Sequence, residues 1–271
     1  MLEGARVVVV VPAFEEAPRL GRMLGALPKF VDQVFVVDDA SSDETAKVAE
    51  NCRDRDDRIS VVRHEINRGV GAAIITGYRA ALKTDGTARD AFVVMAGDGQ
   101  MDPDDLPHVV APIVRGEAEY VKGDRYRSKS RNRIPIARRV VGEILSRMTS
   151  IAIGQTISDS QCGFTALSRA ACMRLDLGLI YPRFGYPNDL LGALAIKRMK
   201  IAEVEVRAVY ADEESKLRAW HVPKIAELTL RAGARRAIQS ALRERTLDDA
   251  TDVRERVIEI EARVENFRIE T

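Results

Sequence analysis

Four groups of polar and small residues sit where an apolar, largely β-branched run stops. They are Pro12 to Glu16 after Arg6–Val11, Asp38-Asp39 after Gln33–Val37, His64 to Gly71 after Ile59–Val62, and Asp98 to Gln100 after Ala91–Met95. Each alone reads as a turn or a helix cap, because Asp, Asn, Gly and Pro are turn residues. Together, on successive strand ends, they read as one rim, and the strand ends of an open parallel sheet form its ligand crevice. Asp98, Gly99 and Gln100 place a carboxylate and an amide oxygen on one loop. A magnesium ion takes one or two protein carboxylates and keeps several waters and substrate phosphates. That chemistry suits a bound nucleoside diphosphate. Asp102 precedes Pro103 and reads as a helix cap. Gly69-Val70-Gly71 lies between a strand and a helix as a dinucleotide fingerprint would, but Ile74 stands at the third glycine, and helix packing explains the pair equally well. The sequence has neither a GxxxxGK[ST] loop nor a GxSxG elbow, which argues against a P-loop hydrolase and an elbow-type serine hydrolase. Arg125, Arg127, Lys129, Arg131, Arg133, Arg138 and Arg139 follow the fifth strand, as either a solvated basic stretch or a phosphate-binding one.

The elements that must position these residues follow from hydropathy. Arg6–Val11 is a continuous apolar run of the kind buried in parallel sheets. Leu20, Met23, Leu24 and Leu27 recur at helical spacing, as do Thr45, Val48, Ala49 and Cys52, and then Val70, Ala73, Ile74, Gly77, Tyr78 and Ala81. Strands alternating with amphipathic helices predict an α/β fold with a mainly parallel, doubly wound sheet. Tyr120-Val121 ends a fifth strand, Arg125–Arg133 is expected as a loop, Ile134–Ile153 as a helix and Ala202–Tyr210 as a late strand. The 271 residues are 46% hydrophobic and 31% charged, a globular composition, and 42 basic against 41 acidic residues exclude a general nucleic-acid binder. Three scattered cysteines and three scattered histidines form no zinc or disulfide pattern. No signal peptide and no spanning segment is read, so the expected location is the cytoplasm, including the inner face of its membrane.

The ordered set of motifs resembles family 2 glycosyltransferases, in particular the dolichyl-phosphate mannose synthase-like group and its bacterial polyprenyl-phosphate relatives. The resemblance covers roughly residues 6–220. It is carried by Val-Pro-Ala-Phe-Glu-Glu at 11–16, by Val37 to Thr45, by Asn67 to Ala73, and by Gly97 to Pro103. Lys122 to Tyr126, Asp159 to Phe164, Tyr186 to Leu191 and Ser215-Lys216 complete the order. It implies a GT-A fold over residues 1–220, with a helical extension over 221–271, and inversion at the anomeric carbon. Pro12, Ala13, Glu16, Asp39, Gly71 and Asp98 would contact the nucleotide sugar, UDP- or GDP-linked. Asp98 and Gln100 would hold Mg²⁺ or Mn²⁺. Arg125, Arg138, Arg139, Ser215 and Lys216 would hold an acceptor phosphate. Asp189 is the candidate base for a hydroxyl acceptor. Ala96 stands where the family's metal motif has its first aspartate, and the transmembrane helices that end many relatives have no counterpart in this sequence.

The leading expectation is metal-dependent transfer of a hexose to polyprenyl phosphate, with Asp98, Arg125 and Asp189 as the catalytic set. Two alternatives stand beside it: a soluble transferase acting on a small-molecule or glycan hydroxyl, and a nucleotide-sugar-binding protein impaired in catalysis. After Trp220, Ile225, Leu228, Ile238 and Leu242 recur at helical spacing among basic residues, which predicts a helix on an anionic membrane surface. Val253, Val257, Ile260, Val264 and Phe267 alternate steps of four and three, a short seam that predicts a homo-oligomer.

Overall fold

A computed structural model describes residues 1–209 and 221–242. Ser215, Lys216 and the seam from Val253 to Phe267 lie outside the described residues. The strands are β1 (Val7–Ala13), β2 (Gln33–Asp38), β3 (Ile59–Arg63), β4 (Ala91–Val94), β5 (Tyr120–Asp124), β6 (Thr165–Ser168) and β7 (Ile201–Glu205). The helices are α1 (Ala17–Gly25), α2 (Thr45–Arg53), α3 (Val70–Leu82), α4 (Leu106–Val114), α5 (Ile136–Ile153), α6 (Arg169–Arg174), α7 (Tyr186–Ile196) and α8 (222–242).

The strands make one sheet in the order β3-β2-β1-β4-β6-β5-β7. β1 is buried along its whole length, and its valines divide by the two-residue period of a strand. Val7, Val9 and Val11 enter one core with Leu20 and Met23 of α1 and Val109 of α4. Val8 and Val10 enter the other with Ile74 and Tyr78 of α3 and Leu190 of α7. The first four strands are parallel, and the chain moves outward from β1 through β2 to β3 before returning to place β4 on β1's other side. That reversal leaves a crevice between the carboxyl ends of β1 and β4, the position where open α/β sheets bind ligands.

The second half departs from the expected pattern. Thr165–Ser168 is a strand that the hydropathy did not mark, and it runs antiparallel between β4 and β5. The late strand is shorter than expected, Ile201–Glu205, and pairs with β5. The basic stretch holds a short 3-10 turn, Lys129–Arg133, and α5 begins one residue after Pro135. Asp102 caps the turn after β4, accepting a hydrogen bond from the Asp104 amide. α8 packs on this same body. Thr229 accepts from the Asn188 side chain at 3.1 Å, Ala232 faces Gly192, and Ala152 of α5 faces Gly233. Ile225 and Leu228 are buried in that contact, whereas Ile238 and Leu242 are exposed.

The approach of α3 to β1 depends on Gly77. A Cβ there would overlap Val10 Cγ1 and stand 3.0 Å from its Cγ2. Gly77→Ala gains up to about 1 kcal/mol in helix propensity but overpacks the sheet face, a loss of about 1–3 kcal/mol. The expected net outcome is a lower urea midpoint, and an unchanged or raised midpoint would show that this contact gives way freely.

Candidate active site

The donor side is built around the end of β2. Asp39 is buried, and its carboxylate accepts from the Arg68 amide at 2.8 Å and the Gly69 amide at 2.7 Å. His64 Nδ1 lies 2.6 Å from Asp39 Oδ1, and its Nε2 lies 2.9 Å from the Thr76 hydroxyl. A carboxylate only accepts, so Nδ1 donates and the ring is fixed between β2 and α3. Gly69 starts α3 with φ of +95°, a conformation that glycine adopts without steric penalty. The two glycines serve a close approach. A Cβ at Gly69 would meet the Pro182 carbonyl at 2.7 Å, and one at Gly71 would meet the Tyr181 carbonyl at 2.5 Å. The Ala72 amide then donates to the Pro182 carbonyl at 2.9 Å. The Gly-x-Gly pair thus admits a backbone loop from more than a hundred residues downstream, which fits helix and loop packing rather than a dinucleotide fingerprint.

Pro12 and Ala13 end β1 at the switch point. The Gly97 amide donates to the Pro12 carbonyl at 3.1 Å and the Asp39 amide to the Ala13 carbonyl at 2.9 Å, so three strand ends are tied together. The following loop is fastened to the start of α2. The Glu15 amide donates to the Ser41 hydroxyl at 2.9 Å and the Glu16 amide to the Thr45 hydroxyl at 2.8 Å. Glu16 is buried, with Arg19 at 3.2 Å. Burial and the hydrogen bonds from Thr45 and Ala17 act on Asp43 in opposite directions, and the bonds win, holding its carboxyl below the usual range.

The metal-loop candidates stand next to this. Gly97 packs against Ala13, Leu20 and Glu16, with a Cβ reaching Leu20 at 3.3 Å. Asp98 is half-buried and accepts from the Gln100 amide at 3.0 Å, closing a turn through Gly99 at φ of +73°. Met101 extends from this turn to Gly163, so the Asp98–Gln100 loop is seated between the β1 loop and the segment before β6. Among the described residues no group of three or more His, Cys, Asp or Glu side chains could enclose a metal. The donors are therefore one carboxylate and one amide, a set of hard oxygens that fits a divalent ion still carrying waters and phosphate oxygens.

The other side of the candidate site lies beyond β4. The antiparallel run of β6 brings its first residue, Thr165, beside Val94 and Lys122, so residues 157–164 share the rim with the parallel strand ends. Arg125 forms a two-point pair with Asp159, Nε to Oδ2 at 2.7 Å and Nη2 to Oδ1 at 2.9 Å. Asp159 is fully buried. Burial pushes its carboxyl up, but the Arg125 and Lys122 charges and the Arg125 hydrogen bonds outweigh this and hold it below the usual range. Lys122, also fully buried, donates to the Cys162 carbonyl at 2.7 Å, and burial pulls its ammonium below the usual lysine value. Arg138 and Arg139 occupy the first turn of α5, half-buried, with Arg139 4.0 Å from Glu143. Asp189 lies in the first turn of α7 and accepts from the Tyr181 amide at 2.8 Å, while Arg235 of α8 stands 3.8 Å away. It thereby fixes the very loop that packs on Gly69 and Gly71.

Sequence reasoning did not single out His64, Asp159 or Lys122 as individual residues with a site role. All three are visible only as members of longer motifs, and their partners are remote in sequence. Replacing Asp159 by Ala strands the Arg125 and Lys122 charges, and loss of one partner of a buried pair costs about 3–5 kcal/mol. Because its carboxyl is held below the unfolded value, Asp159 stabilises the fold above the usual carboxylate range. That contribution disappears as pH falls through the lowered value, below about pH 4. Urea titrations across pH should show this acid loss in wild type and a flatter limb in Asp159→Asn.

Comparison with known proteins follows the same geometry. The sequence profile of "Glycosyl transferase family 2" matches residues 8–176. The UDP-N-acetylglucosamine–dolichyl-phosphate N-acetylglucosaminyltransferase of Methanococcus voltae is 28% identical over 220 residues, covering 76% of this chain and 86% of that protein. The undecaprenyl-phosphate mannosyltransferase of Micrococcus luteus is 28% identical over 209 residues, covering 75% and 84%. Glucosyl-3-phosphoglycerate synthase from Mycobacterium tuberculosis, solved with Mn²⁺, uridine diphosphate and glucosyl-3-phosphoglycerate, superposes with a TM-score of 0.60 at 20% identity, covering 86% of this chain and 80% of that one. The profile match spans more than half of the chain, and the sheet and its rim are those of the GT-A fold, so this chain belongs to glycosyltransferase family 2.

Proposed function

We propose that this enzyme moves a hexose from a UDP- or GDP-linked donor to polyprenyl phosphate, with inversion and with Mg²⁺ or Mn²⁺. The observation that carries the reading is the adjacency on one rim of the Asp98–Gln100 turn, the β1 loop and the Arg125–Asp159 pair. The names of the two curated relatives, one acting on dolichyl phosphate and one on undecaprenyl phosphate, support a lipid phosphate as acceptor.

In this reading Pro12, Ala13 and Glu16 line the nucleotide pocket, and Asp39 shapes it by holding the 64–71 turn. Gly71 contributes through the loop that it admits. Asp98 and Gln100 are the residues that would hold the divalent ion. When bound, that ion offsets charge on the leaving group. With Ala96 at the place of an acidic residue, the chain would offer the ion few ligands, a set suited to an ion that keeps waters and substrate oxygens. Arg125, oriented by Asp159, faces the acceptor phosphate with Arg138 and Arg139, and Ser215 and Lys216 belong to the same group. A phosphate oxygen is already anionic near neutral pH and attacks without a base. Asp189 is then a positioning residue acting through the Tyr181 loop, and it becomes the base only for a hydroxyl acceptor. Self-association through residues after Thr246 is part of the proposal; removing them should lower the number of subunits read from the mass in solution, and an unchanged oligomeric state rules the seam out as the contact.

Asp98→Asn should keep the fold and lose turnover by about 100-fold or more, because charge on the diphosphate is poorly met. Activity that survives both this substitution and excess chelator overturns the metal assignment. Arg125→Ala should raise the KM for polyprenyl phosphate while the affinity for nucleoside diphosphate, read by calorimetry, stays unchanged. Transfer to neutral sugars with none to polyprenyl phosphate would replace this reading by that of a soluble-acceptor transferase.

A further inference from the structure

α5 carries more exposed large hydrophobic residues than any other described helix. Ile136, Val140, Val141, Ile144 and Ile151 are all exposed, from 41% at Val141 to 80% at Ile151. At about 100° per residue, Ile136, Val140, Ile144 and Ile151 fall within about 80° of arc, with Val141 beside them. The opposite face, Gly142, Leu145, Ser146, Thr149 and Ile153, is buried. It is fixed to the acceptor-side segment, where the Ser160 amide donates to Ser146 at 2.9 Å and Gly142 leaves room for Tyr126. A stripe of this kind on an isolated chain marks a docking surface.

We infer that this face of α5 lies on the anionic surface of a lipid bilayer. Charge decides between the occupants. From Lys129 to Ile153 the chain holds Lys129, Arg131, Arg133, Arg138, Arg139 and Arg147 against the single acid Glu143. Lys129, Arg131, Arg133 and Arg147 are exposed. A second copy of this chain would bring the same positive charges together across the interface, whereas anionic headgroups neutralise them at about 1 kcal/mol per basic residue near the surface. Among the described residues no helix is long and apolar enough to cross a membrane, and a basic amphipathic face of this kind binds a bilayer surface without spanning it. The inference rests on the lipid-phosphate reading above. α5 starts immediately after the basic segment that leaves β5, so a bilayer under its outer face meets the acceptor side of the rim.

The test is flotation of the full chain with phosphatidylcholine vesicles, with and without phosphatidylglycerol, and with no polyprenyl phosphate present. Wild type should float with the anionic vesicles only, and Val140→Glu/Ile144→Glu should lower the bound-to-free ratio roughly tenfold or more. Both side chains are exposed, so far-UV circular dichroism and nucleoside diphosphate affinity should match wild type. Transfer to a short, water-soluble prenyl phosphate should also persist in the double variant, and loss of that activity in wild type would strike the proposed function and leave the docking face standing. Wild type that ignores anionic vesicles overturns the inference, as does a double variant that floats equally well. A double variant that changes mass in solution without changing flotation would assign the face to a copy–copy contact.

Discussion

Asp39 sits at the end of β2 with almost no access to water, and its two oxygens gather one turn around themselves. The Arg68 and Gly69 amides and the His64 ring all donate to it. A buried carboxylate is tolerated only when its lone pairs are met, so the turn and the charge require each other. The knot sets where α3 begins. The start of α3 sets where Gly69 and Gly71 stand, and these accept the Tyr181–Pro182 backbone. Asp189 secures that loop from the other side, and α7 and α8 follow from it. The donor rim and the carboxy-terminal helices are in this way connected by contacts that begin at one side chain.

The rim beside β5 and β6 has its own buried charge system. Arg125, Asp159 and Lys122 carry two positive charges and one negative where the end of β5 meets the segment before β6, with Lys122 satisfied by a carbonyl and its ammonium disfavoured by burial. The two-point pair with Asp159 holds the Arg125 guanidinium in one plane. The same pair links β5 to the segment before β6, which Met101 also touches from the Asp98–Gln100 turn. Small displacements of the antiparallel strand would therefore be felt at the ends of both neighbouring strands.

Much of the donor half was legible because its signals are local. β-branched runs that end in Asp, Gly or Pro announce strand ends, and the crevice follows from parallel order alone. The four clusters converge as expected, and Asp102 is the cap that its Pro103 neighbour suggested. What stayed hidden depends on partners far along the chain. Nothing near Gly71 says that Tyr181 will fill the space above it, and nothing near Arg125 names Asp159. Thr165–Ser168 is four residues long and mixed in polarity, too short for a two-residue period to stand out. Ile225 and Leu228 illustrate another limit: helical spacing gives a stripe but not whether protein or lipid covers it.

The position of β6 has a consequence for how the polypeptide is made. β4 and β5 are consecutive in sequence yet do not touch, because Thr165–Ser168 lies between them. While the chain emerges from the ribosome, the parallel set of four is complete once Val94 appears, and one flank of β4 is then open. Its partner arrives roughly seventy residues later, on the order of several seconds at ordinary synthesis rates. During that interval an apolar strand, Ala91–Val94, offers unpaired amides and carbonyls, the feature through which nascent chains pair wrongly with one another. Neither β5 nor β7 can close the gap by itself, since both reach the sheet only through β6. Ribosome pausing between these two strands, or a chaperone that shields a bare strand flank, would therefore act on this interval.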